Sequence, residues 1–254
     1  MRNRSAIIIA MSLLLVRGSS AAYPSPAQGD FVVKGFHFAS GETLPELRLH
    51  YRTIGEPQRD SHGKVVNAVL ILHGTGGSGE QFLNERFANI LFGPGQLLDA
   101  SRYFIVLPDG IGHGKSSKPS DGAHMHFPHY TYDDMVRAHH ELLTTKLDID
   151  HLRLVMGTSM GGMHTWVWGE MYPDMMDALM PLASLPVEIA GRNRMFRCMV
   201  MDSIRNDPEW KEGEYRAEPK RGLTSAAYTL LEMSSCPLQM QKEAPTREAS
   251  ERLY

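Results

Sequence analysis

Four short runs of apolar residues limit what this chain can become more than any other feature. "NAVLILHG" (residues 67–74), "RYFIVLPDG" (102–110), "LRLVMG" (152–157) and "DALMPLAS" (177–184) are nearly continuous in large apolar side chains. A strand with one wet face alternates apolar and polar residues, so unbroken runs predict strands covered on both faces, as in a parallel sheet. Helical stretches separate them, notably "TYDDMVRAHHELLTTKL" from Thr131, a threonine N-cap candidate followed by acids in the first turn. Strand–helix alternation predicts an α/β fold. Upstream, "FVVKGFHF" and "LRLHYRTI" alternate as half-buried antiparallel strands do, with "GETLPE" as the turn between them. From residue 186 to 254 the strand patterns stop. That stretch reads as a helical cap region following a core of residues 23–185.

The 254 residues suffice for one large domain with a sizeable core. A formal net charge of -3 gives no electrostatic case for nucleic acid or an anionic membrane. Arg2 and Arg4 precede an apolar run over residues 6–16, and Ser20 and Ala22 then occupy the key positions of a small-residue cleavage site. This order predicts an export signal over residues 1–22, its apolar part too short to span a bilayer. The mature protein is then expected outside the cytoplasm, periplasmic or secreted, with no membrane span. Cys198 and Cys236 allow a disulfide there, but a pair this sparse reads more readily as core thiols.

Gly157, Ser159 and Gly161 spell G-x-S-x-G between an apolar strand and a helix, the setting of a nucleophilic serine on a sharp bend. A glycine-rich turn with an incidental serine is the bland alternative, and the strand, turn and helix together favour the nucleophile. Gly157, Gly161 and Gly162 give the bend room, and the helix N-terminus sets partial positive charge beside the serine oxygen. That helix is expected to bury Met163, Trp166 and Val167 and to stop at "YPD" (172–174).

"HGTGGSG" (73–79) follows the first parallel strand, and Gly74, Gly76 and Gly79 match the dinucleotide fingerprint G-x-G-x-x-G. A dinucleotide site needs an acid at the end of the next strand, whereas Asp99 precedes it, and an exported protein rarely meets such a cofactor. The better reading is a loop facing the nucleophile, in which the backbone N–H groups of Thr75 and Met160 stabilise an oxyanion. No cofactor is expected. "DGIGHGKSSKP" contains G-K-S, but Asp109 stands where a phosphate loop needs glycine and Gly110 comes one place late. Residues 109–116 therefore read as a turn, with His113 part of it. His124, His126 and His129 lack partnering cysteines or carboxylates in a metal-ligand pattern, so no metal is expected.

With these residues in place the chain resembles the α/β-hydrolases, and among them the homoserine O-acetyltransferase family. The resemblance runs over residues 36–234 and rests on "SGETLPELRLHYRTIG", "FGPGQLLDASRYFIV", "FPHYTYDDMV", "GTSMGGMHTWVWGEMYPD" and "RNDPEWKEGEY". It implies an α/β-hydrolase fold, a mostly parallel sheet flanked by helices, with a helical cap inserted after the sixth strand. It also implies Ser159 as an acyl-accepting nucleophile, with Thr75 and Met160 as oxyanion donors. Where the family carries an arginine that grips the homoserine carboxylate, this chain has Met201. Loss of a bidentate carboxylate partner favours water as acceptor, hence an ester hydrolase acting on a small acyl ester.

The resemblance also implies an acid and a histidine on loops after the seventh and eighth strands. The last histidine here is His164, and none follows it. The triad acid and base are therefore unassigned, the last strands are expected to be missing, and "DALMPLAS" is expected to be an exposed sheet edge, open to aggregation or homodimer pairing. Should a base precede the serine, His113 and His73 are the candidates. An acyltransferase and a non-catalytic binding protein are the alternatives to a weakly active hydrolase.

Overall fold

The computed structural model describes residues 23–253, so the expected export signal lies outside the described residues. The alternating segments form β1 (Ala27–His37) and β2 (Thr43–Ile54), and the four apolar runs form β3 (Ala68–Leu72), β4 (Phe104–Pro108), β5 (Leu154–Thr158) and β6 (Leu179–Leu182). They make one six-stranded sheet in the order β1-β2-β4-β3-β5-β6. β1 and β2 pair antiparallel, β2 joins β4 antiparallel, and β4, β3, β5 and β6 run parallel. The helices are α1 (Ala88–Leu91), α2 (Tyr132–Glu141), α3 (Met160–Met171), α4 (Gly191–Arg205), α5 (Lys220–Ser234), α6 (Pro237–Glu243) and α7 (Arg247–Leu253).

The unbroken apolar runs are explained by what covers the sheet. Val69, Ile71, Ile105, Leu107 and Met156 pack with Phe82 and Phe92 in one core, while Leu70, Leu72, Val106 and Val155 pack with Val136, Leu143 and Trp168 in another. Successive residues of one strand thus point into two different cores, as the period of two requires. β6 departs from the expectation of a doubly covered strand. Only β5 pairs with it among the described residues, and Leu179, Met180 and Leu182 are exposed. It is the open apolar edge that the sequence predicts.

The β1–β2 turn closes earlier than expected. Residues 38–42 make it, with the Phe38 N–H donating to Glu42 O and Gly41 supplying a left-handed residue at φ +87°. Thr43, Leu44 and Glu46, read as turn residues, already pair with His37, Phe36 and Lys34. α2 begins as predicted: Thr131 caps it, and Asp134 completes a capping box by accepting from the Thr131 N–H. Asp134 also accepts the Ala39 N–H at 2.8 Å, and Arg137 donates to His37 O at 2.7 Å, so α2 grips the hairpin tip. Burial alone would raise the Asp134 pKa, but the Thr131 and Ala39 N–H groups and the Arg137 guanidinium outweigh it and hold the carboxyl below its ordinary value.

Two further expectations are corrected. α3 buries His164, Thr165 and Trp168, not Met163, Trp166 and Val167. The latter stripe is half-buried and lines a groove of about 700 Å³ beside the segment 185–189, because the opposite face packs toward α2 and the sheet. The cysteines are both free and neither is a core thiol: Cys198 is half-buried on α4 and Cys236 is exposed at the start of α6.

Candidate active site

β5 passes into α3 with no connecting loop, and Ser159 makes the bend alone at φ 55°, ψ -112°. A non-glycine residue in such a conformation stores on the order of 1–3 kcal/mol and needs the surroundings to impose it. The glycines on either side do so by close approach. A Cβ at Gly157 would collide with the Gly161 carbonyl, and one at Gly161 with the Leu72 carbonyl. The Ser159 N–H donates to Leu182 O at 2.9 Å and its carbonyl accepts from the Met163 N–H at 3.0 Å. Its hydroxyl makes no hydrogen bond among the described residues, and the residue is exposed. The serine forms part of the wall of a cavity of about 480 Å³, together with Met160, Tyr132, Met163, Ser184 and Arg197.

Met160 is the first residue of α3, so its N–H is one of those a helix leaves without an internal acceptor. The loop after β3 runs against the bend, since a Cβ at Gly74 would lie 3.5 Å from the Ser159 Cβ. Thr75 follows directly, is exposed, and its N–H has no acceptor among the described residues. Thr75 does not itself line the cavity. The loop is held from below by Asp109, which is fully buried, accepts the Gly79 N–H at 2.8 Å and the Lys115 N–H at 2.9 Å, and pairs with buried Arg52 at 2.9 Å. The residue that spoils the phosphate-loop pattern is thus a structural anchor.

The two fallback bases are otherwise engaged. His73 Nε2 accepts the Gly110 N–H at 2.9 Å, which leaves the ring proton on Nδ1 to be donated to Gly74 O at 2.9 Å. Burial lowers its pKa, so it is neutral with both nitrogens occupied. His113 bonds Ile111 O through Nδ1 at 3.0 Å, and its ring lies 5.1 Å from that of His73. His164 is buried with its ring 4.8 Å from Tyr132, and burial drives its pKa well below the ordinary value. None of these lines the cavity at Ser159. His124, His126 and His129 disperse onto Tyr215, Glu214 and Glu42.

On the cap side the structure redirects the sequence reading. Met201 is half-buried on α4 and does not line the cavity. Arg197, one turn earlier, does, its Nε donating to Asn193 Oδ1 at 2.8 Å, and Arg194 lines the neighbouring groove. The N-terminal half of α4 faces the serine. No sequence signal marks Arg197, which gains its place only when α4 is brought to the serine.

A strained serine between a parallel strand and a helix, at the wall of a cavity and beside a glycine-rich loop, has the strand–turn–helix geometry of the α/β-hydrolase bend. The chain belongs to the alpha/beta hydrolase fold family, which matches residues 67–242. It is 37% identical over 211 residues to the homoserine O-acetyltransferase of Moorella thermoacetica, covering 75% of this chain and 54% of that protein. It is 35% identical over 198 residues to a probable acyltransferase of Methanothermobacter thermautotrophicus, covering 78% and 59%. The solved acetyl esterase MekB is similar at a TM-score of 0.75 and 26% identity, over 85% of this chain and 61% of that one. The chain spans about half the length of the curated relatives it matches.

Proposed function

We propose that this protein is a serine-nucleophile acyl-transfer enzyme acting on small acyl esters through an acyl-enzyme at Ser159. The observation that carries the reading is the imposed backbone of Ser159, which holds a free hydroxyl at the wall of the cavity. In the proposed step the Ser159 oxygen bonds the ester carbonyl carbon, and the Thr75 and Met160 N–H groups receive the developing oxyanion. Collapse expels the alcohol, and water then releases the acid. The serine proton passes to a general base and returns on the departing alcohol; no described histidine lines the cavity, and the base is left unassigned.

A fluorophosphonate probe tests this. Wild type should be labelled and Ser159→Ala should not, and equal labelling of both would remove the assignment. Labelling of the 254-residue chain should be slow, because oxyanion donors without a base retain only about 10³–10⁴-fold over water.

A second reading, transfer to a hydroxyl acceptor bearing a carboxylate, is favoured by Arg197. Its half-buried guanidinium lines the same cavity and makes no ion pair among the described residues. Comparing ester hydrolysis with acyl transfer from a thioester to homoserine, in wild type and Arg197→Met, separates the two. Transfer that falls in the variant while hydrolysis persists supports the second reading; hydrolysis unaffected by added homoserine supports the first.

Export is also part of the proposal, resting on Arg2, Arg4, the apolar run and the small residues before Tyr23. N-terminal sequencing of protein recovered outside the cytoplasm should begin near Tyr23; intact Met1 on protein retained in the cytoplasm would exclude it.

A further inference from the structure

The two donors assigned to the oxyanion come from different parts of the chain, Thr75 from the loop after β3 and Met160 from the start of α3. Their separation must be set by something. Gln81, in the turn Gly79–Leu83, lies between the two segments. Its Oε1 accepts the Gly74 N–H at 3.2 Å, and its Nε2 donates to the Thr158 hydroxyl at 3.1 Å. These bonds reach the residue immediately before Thr75 and the residue immediately before Ser159. The orientation of the carboxamide is fixed, because only its oxygen can face an N–H. The loop is wrapped about this side chain: the Gly77 N–H closes a turn onto Gly74 O at 3.1 Å, and a Cβ at Gly77 would collide with Gln81 Oε1. Thr158 spends its hydroxyl on nothing else among the described residues, and Gln81 is half-buried, so both side chains are placed by this contact.

We propose that Gln81 and Thr158 form a positioning brace that sets the distance between the Thr75 and Met160 N–H groups. The proposal rests on the Ser159 reading above. The brace does not touch substrate. It acts by holding the glycine loop against the nucleophile bend, where a displacement of about 1 Å can cost on the order of 100-fold in rate. Thr158→Val keeps the shape of threonine and deletes the acceptor, while Thr158→Ser keeps the hydroxyl. Gln81→Ala releases both ends.

The test is the rate of fluorophosphonate labelling at Ser159 in the full chain, a reaction in which the serine oxygen–phosphorus bond forms, fluoride leaves and the phosphoryl oxygen occupies the oxyanion site. Gln81→Ala and Thr158→Val should each slow the bond-forming constant about tenfold, less than the roughly 100-fold or more of deleting a donor outright. Probe affinity and melting temperature should change little. The double variant should be no slower than the slower single, since either change already opens the brace, and Thr158→Ser should label at nearly the wild-type rate. Folded Thr158→Val that labels as fast as wild type, or single effects that multiply in the double variant, would overturn the brace while leaving Ser159 as the nucleophile. If Gln81→Ala does not fold, the Thr158→Val and Thr158→Ser pair decides the question. Wild type that labels no faster than Ser159→Ala overturns both the nucleophile and the brace.

Discussion

The two flanks of β5 are built to different standards. On the β3 side every residue of the strand is buried, the following loop is bonded to Asp109 and Gln81, and Gly161 of the helix presses against the Leu72 carbonyl. On the β6 side one short strand with exposed leucines and methionine closes the sheet, and the bend is fastened to it by the Ser159 N–H on Leu182 O. Ser159 sits on the border. The bend is pressed from both sides, by Gly161 on the Leu72 carbonyl and by Gly162 on the Leu182 carbonyl. Only the β3 side is backed by a buried strand and a buried ion pair, so damage there should spread further than damage at the β6 edge.

The largest break expected is Asp109→Ala. It strands the Arg52 guanidinium in the interior with only exposed Glu80 beside it and should cost about 3–5 kcal/mol in urea unfolding. A loss below 1 kcal/mol would mean that the two flanks are not unequal. Next comes a pair on one helix. Trp168→Ala should cost about 3–4 kcal/mol, since the indole is fully buried, whereas half-buried Trp166→Ala should cost about 1 kcal/mol. Reversed values would restore the expected burial of the other α3 face.

Acid should expose the buried histidines. Burial, with a smaller contribution from His73, pushes the His139 pKa down to about 3, and His164 moves in the same direction. Their rings are neutral in the fold but take up protons near pH 6.5 once unfolded, so the unfolded state binds more protons below that pH. Stability should be flat above pH 6.5 and fall as the pH drops toward 3, at up to about 1.4 kcal/mol per pH unit for each histidine. His139→Leu should lower that slope by roughly one proton; an unchanged slope would show that this ring does not titrate as described. The smallest effect belongs to the edge. Met180→Lys should shift stability by less than about 0.5 kcal/mol while reducing aggregation on light scattering, because charge on an open strand blocks pairing with another chain.

Much of this arrangement is legible in the sequence. Unbroken apolar runs mark strands with two covered faces, Thr131 marks a helix start, and glycines around Ser159 mark a bend without room for side chains. Such features depend on neighbours in sequence. What escaped depends on neighbours in space. Met163, Trp166 and Val167 have the spacing of a core stripe, but periodicity does not say which of two apolar faces meets the sheet. Arg197 and Gln81 acquire meaning only when α4 and the glycine loop are brought to the serine. Gly41 and Pro45 both suggest a turn, and backbone pairing placed it at the first of them.

The grip of Asp134 on the hairpin tip has a kinetic consequence. Residues 39 and 134 are 95 positions apart, so their bond closes a long loop, whereas β1 and β2 can zip locally from the turn at residues 38–42. Long closures carry an entropy cost that must be met before their contacts return anything, which places docking of the hairpin on α2 late in folding. Contacts made after the transition state govern escape rather than formation. Asp134→Asn should therefore speed unfolding in stopped-flow experiments and leave the refolding rate nearly unchanged, making this buried carboxylate a determinant of how long the molecule stays folded once it has formed.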